Sequence, residues 1–107
     1  MDGNLELVYF KLLNGEEIIA YSKKIIGGWY IENPALLVSL PEYKVGLANW
    51  LPYTKLSAAG NIPDASLLLV AEVEDDMIKY YHTWLTQGAP EVTINSQDDK
   101  AQTTPNV

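Results

Sequence analysis

The sequence predicts a mainly β fold, a small, strongly bent five-stranded antiparallel barrel followed by one C-terminal helix. Three observations predict it. Apolar and polar residues alternate with period two on both sides of an Asn14-Gly15 pair. Short apolar runs then recur, separated by Gly and Pro punctuation. After residue 74 the apolar spacing changes from strand-like to helical.

Val8, Phe10 and Leu12 alternate with Tyr9, Lys11 and Leu13, and Ile18 and Ala20 alternate with Glu17, Ile19 and Tyr21. Strands are therefore expected near 5–13 and 16–26. Asn-Gly between them suits a two-residue hairpin turn in which both central residues take positive φ. Gly27-Gly28 opens a third strand, 29–40, in which Asn33-Pro34 predicts a bend, because Pro is tolerated only at an edge or a bulge. A fourth strand is expected over 44–51, with Gly46 marking close packing or curvature, then a loop over 53–64. The run SLLLVAEV, 66–73, reads as the fifth strand and as the most buried one. In EDDMIKYYHTWLTQG, Met77, Tyr80, Tyr81 and Trp84, flanked by Ile78 and Leu85, form a stripe at helical spacing. Asp75 and Asp76 suit its first turn and Gly88 its end. Five strands, glycine bends and one helix are too few for a sandwich and suit a curved sheet that almost closes on itself. The edges of such a sheet commonly pair with another copy. Residues 1–88 are thus expected to form the folded unit and 89–107 a polar tail rich in Ser, Gln, Thr, Asp and Asn.

A chain of 107 residues fits one domain, and 48% hydrophobic content suffices for a core. There is no cysteine, hence no disulfide frame, thiolate metal site or thiol nucleophile. No apolar run approaches the roughly 18 residues of a membrane span. The start lacks the basic region and apolar stretch of a secretory signal, so a cytoplasmic location is expected, the host cytosol if the gene is viral. Seven lysines oppose fourteen acidic residues for a net charge of −7, and no arginine is present. Most of the acidity falls in residues 61–107, which carry two lysines against eight acids. Counterion release cannot drive such a chain onto nucleic acid over its whole surface, so any such contact would be local.

The pattern Val8-x-Phe10-x-Leu12-x-Asn14-Gly15-x-x-Ile18-x-Ala20 is similar to the first signature of the Sm and Sm-like (LSm) proteins. The later run from IENPALLVSL to SLLLVAEVEDDMIKYY resembles a phage branch of that group, found in viruses of marine cyanobacteria. The resemblance spans residues 5 to about 85. It implies a bent five-stranded barrel assembled into a homo-oligomeric ring by pairing the fourth strand of one subunit, here 44–51, with the fifth of the next, here 66–73. Val45, Leu47, Leu67 and Leu69 are the residues this implies at the subunit interface. RNA-binding members carry an Asp and a Met-Asn pair in the loop after the second strand, where this chain has Ile26, Trp29 and Tyr30. They also carry an Arg-Gly turn between the last two strands, for which this chain offers only the loop 52–65. The resemblance therefore implies the fold and leaves the RNA site without its residues.

Trp29 and Tyr30 could stack bases, or could be strand neighbours with one ring in the core and one outside. Lys23 and Lys24 could contact phosphate, or guard a strand edge. Glu72, Glu74, Asp75 and Asp76 lack a calcium-loop spacing and suit helix capping instead. His82 has no second His or Cys to make a zinc site, and no serine sits in a nucleophile elbow. The expectation is a non-enzymatic protein without metal or cofactor. It would act as a scaffold or adaptor, docking a protein through the acidic C-terminal half, or bind single-stranded RNA weakly through Trp29, Tyr30, Lys23 and Lys24.

Overall fold

The first hairpin sets the direction of the whole sheet. In the computed structural model, which describes residues 4–87, β1 (Glu6–Leu12) and β2 (Glu17–Ile25) pair antiparallel from Glu6 opposite Ser22 to Lys11 opposite Glu17. The turn differs from the two-residue form expected. Gly15 N–H donates to Leu12 O at 2.9 Å and Leu12 N–H to Glu16 O at 2.8 Å. Only Gly15, at φ 95°, is left-handed, while Asn14 is not. This is a three-residue loop, a turn closed by a left-handed glycine bulge. The Asn14 side chain locks it instead of its backbone: Oδ1 accepts from Glu16 N–H at 2.9 Å.

β3 (Gly28–Leu40) follows a tight Ile26-Gly27 turn and is the longest strand. It changes partner half-way along. Its first part, Gly28 to Glu32, pairs with β5 (Ala59–Pro63), and its second, Ala35 to Leu40, with β4 (Lys44–Asn49). The switch falls at Asn33-Pro34, where the bend was expected. Asn33 is left-handed at φ 50°, and the register with β2 slips there, leaving Ala20 opposite the bulge. Both backbone groups of Asn33 are held from outside the strand: its N–H donates to Ala58 O, and its carbonyl accepts from Tyr81 Oη, each at 2.8 Å.

β5 corrects the expectation of an unbroken loop over 53–64. Gly60 and Pro63 read as breakers, and only Ile62 is a large apolar residue, so no period-two signal exists there. The strand forms because the first half of β3 needs a partner. Gly28 is what lets it come close, since a Cβ there would lie 2.2 Å from Ile62 O. Pro63 ends the strand, where a missing N–H costs nothing.

A short turn, Asp64–Ser66, leads to β6 (Leu67–Glu72), which pairs antiparallel with β1 through a bulge between Lys11 and Leu12. The sheet therefore has six strands rather than five. Its path is β4-β3-β2-β1-β6 with β5 on the side of β3, and it does not close through hydrogen bonds. β6 also corrects the expectation that it is the most buried strand: Leu67 is half-buried and every residue from Leu68 to Glu72 is exposed.

The core falls into two clusters. Phe10, Leu12, Ile18, Ala20, Ile31, Trp50 and Ile62 form one. In the other, Ile19, Ala35 and Leu47 lie under α1 (Asp75–Gln87), which buries Tyr81 and Trp84 against them. The helix begins where the spacing predicts, with Ile78 N–H donating to Glu74 O and Asp75 and Asp76 in its first turn. Of the expected stripe, Met77 and Leu85 pack against the same cluster, whereas Tyr80 stays exposed. The polar tail expected over 89–107 lies outside the described residues.

Candidate assembly interface

Both ends of the sheet path are open. Among the described residues β4 is paired only to β3, and β6 only to β1. Each free edge offers a row of unpaired backbone donors and acceptors, which in an isolated domain is a template for another strand. Sheet edges are ordinarily blunted by charges, proline or short length. β6 is not blunted along its middle: Leu68, Leu69 and Val70 are 59%, 46% and 38% exposed.

The four residues expected at the interface divide. Val45 and Leu69 are exposed, one on each edge strand. Leu47 is 1% exposed and belongs to the cluster beneath α1, so its side chain is already buried within one copy. Leu67 is half-buried against the Phe10 cluster. The residues that sequence reasoning missed are Leu68 and Val70. An unbroken apolar run such as SLLLVA does not say which side of the strand is covered, and here only Leu67, at its start, is partly covered.

The residues considered for RNA contact come together at one end of the β2–β3 ladder, Lys23 opposite Tyr30 and Lys24 opposite Trp29. Trp29 turns inward. Its ring lies 5.4 Å from that of Phe10 between centroids and nearly perpendicular to it, packed against the core though only half-buried. Tyr30 is half-buried and its hydroxyl donates to Glu32 at 2.7 Å, a bond that raises the phenol pKa. Lys24 Nζ donates to Ile25 O at 2.9 Å, Gly28 O at 3.2 Å and Asp64 Oδ2 at 3.1 Å, tying the β2–β3 turn to the segment before β6. Lys23 is exposed.

The acidic cluster is spread out, with Glu72 at the end of β6, Glu74 before the helix, and Asp75 and Asp76 in its first turn. Among the described residues no group of three or more acidic or histidine side chains is placed to hold a metal ion. His82 faces β2, its Nε2 2.8 Å from Tyr21 Oη, with the ring edge-on to both Tyr21 and Tyr81. It helps pin the helix to the sheet.

One further feature lies beside the β1–β2 turn, between the loop that follows β4 and the connection from β5 to β6. A cavity of about 460 Å³ opens there, walled by Leu12, Trp50, Leu56 and Ile62, with Ala65 and Ser66 on its rim. Its one charged lining residue is Glu16, whose Oε1 accepts from Trp50 Nε1 at 3.1 Å. Compared with protein-family models and with curated proteins, the sequence matches none.

Proposed function

We propose that this protein is a non-enzymatic, Sm-like assembly module whose copies pair β4 of one with β6 of the next into a closed ring. The ring then serves as a scaffold or adaptor for another protein. The observation that carries this reading is the pair of open edges at the two ends of one sheet path, with three consecutive exposed apolar residues on β6. Two different edges meeting is a head-to-tail contact, and head-to-tail contacts close into rings when the rotation permits. The acidic surface at the end of β6 and the start of α1 supports a basic protein partner over a polyanion. Static light scattering at micromolar concentration tests the reading: a defined oligomer is expected, and a stable monomer would overturn it.

A further inference from the structure

We propose that the cavity beside the β1–β2 turn is a binding site for a small organic ammonium ion, a cation carrying a compact, apolar ring body. The site is complete within one copy, because every residue that lines it belongs to one chain. It stands whether or not copies assemble.

The walls specify the apolar body. Leu12, Trp50 and Ile62 are buried members of the Phe10 cluster, and Leu56 packs against them. Leu13 and Leu51, exposed at 62% and 38%, also line the cavity and bring that apolar surface out to solvent. The volume of about 460 Å³ lies in the ordinary range for small-ligand sites. The backbone around it is braced. Leu13 N–H donates to Ser66 O at 3.0 Å, tying the end of β1 to the rim. Thr54 N–H and the Thr54 hydroxyl each donate to Leu51 O at 3.0 Å, fixing the loop after Trp50. A site formed in advance loses less entropy when it is filled.

One group specifies the charge. Glu16 is the only charged residue lining the cavity among the described residues. Its Oε1 accepts from Trp50 Nε1 at 3.1 Å and from Asn14 Nδ2 at 3.2 Å, while Asn14 Oδ1 accepts from Glu16 N–H at 2.9 Å. Both side-chain bonds go to Oε1, so Oε2 is left to a donor from outside the described residues. An ammonium there makes a charge-assisted hydrogen bond, about twice as strong as a neutral one. The same carboxylate repels an anion, and no lysine lines the cavity to offset it. A sugar-like ligand fits poorly as well. Asn14 is engaged with Glu16 through both ends of its amide, which leaves only Asn61 and Ser66 for a set of hydroxyls. The net charge of −7 draws cations toward the whole molecule.

Calorimetric titration of the full chain with tryptamine tests the assignment, against tryptophol, which carries a hydroxyl in place of the amine. Tryptamine should bind saturably, one per chain, and about tenfold more tightly than tryptophol. Indole-3-propionate, the anionic counterpart, should bind more weakly than either. Glu16→Gln keeps an acceptor for Trp50 Nε1, so its circular dichroism should be unchanged while tryptamine and tryptophol become equal in affinity. In nitrogen–proton spectra of the wild type, tryptamine should move the Trp50 indole N–H signal. The Trp84 signal, from the cluster beneath α1, should stay in place. No saturable binding at millimolar ligand would overturn the site. So would a wild type with no preference for the amine, a preference that survives Glu16→Gln, or an unmoved Trp50 signal.

Discussion

Gly15 shows how much of a fold can rest on one backbone angle. A Cβ at this position would meet nothing within 4 Å, so the only obstacle to a side chain is φ 95°. Gly15→Val should therefore cost about 1–2 kcal/mol through strain alone, read as a lower midpoint in urea, and an unchanged midpoint would refute it. Tyr81 is the counterpart on the helix. Its hydroxyl is the side-chain partner of the Asn33 carbonyl at the bend of β3, so Tyr81→Phe should lose about 1–2 kcal/mol while leaving the packing intact. Tyr9 brings a pH dependence. Burial, and then its hydrogen bond to Glu17, push its phenol up to about 12 from 10.0. The folded state therefore holds that proton more tightly than the unfolded chain. The stability this contributes is fully present below pH 10 and is lost as pH rises toward 12. Urea midpoints between pH 8 and 12 should fall more steeply for the wild type than for Tyr9→Phe, and equal slopes would remove Tyr9 from the account.

At the scale of elements, what the sequence made legible depended on whether an element's own residues carry its periodicity. β1, β2 and α1 do: Phe10 and Ile18 mark one face, Ile19 the other, and Tyr81 and Trp84 the covered side of the helix. The bend in β3 was legible as well, because Asn33-Pro34 can hardly continue a regular ladder. β5 was not, since it is specified by the unpaired half of β3 rather than by Ala59–Pro63 themselves. β6 was read as buried because three leucines and two valines ordinarily are, and what the sequence could not say is that, among the described residues, the sheet ends there with no strand beyond it. Of the candidate site, the two edge strands were legible, but the split between buried Leu47 and exposed Leu68 follows only from the helix lying over one of them. That exposure makes Leu69→Glu informative. The new carboxylate would face Lys11 across the β1–β6 pair, so the single copy should fold with a midpoint within about 0.5 kcal/mol of wild type. A charge on the apolar edge should nonetheless abolish assembly in light scattering. An oligomer of unchanged size would show that β6 is not the edge used.

At the scale of the whole molecule, charge and ring geometry bear on the same question. The chain carries a net charge of −7 and no arginine, and a ring would multiply that charge by its number of copies. An RNA strand approaching it meets repulsion except where lysines gather. The gathering near the β2–β3 turn is thin. Lys24 bonds Asp64 and two carbonyls although its side chain stays exposed, Trp29 packs on Phe10 and Tyr30 bonds Glu32, and Lys23 is exposed beside them. One phosphate contact per copy gives a salt slope of only about −0.7 per copy engaged on a single strand. Fluorescence anisotropy with uridine-rich and adenine-rich oligomers at two salt levels should therefore show no saturable binding at tens of micromolar protein. If tight binding is found instead, Lys23→Ala decides its origin. A flattened salt slope would place phosphate contacts at the β2–β3 turn and replace the scaffold reading with an RNA-binding one. An unchanged slope would move the nucleic-acid surface away from Lys23 to another part of the protein.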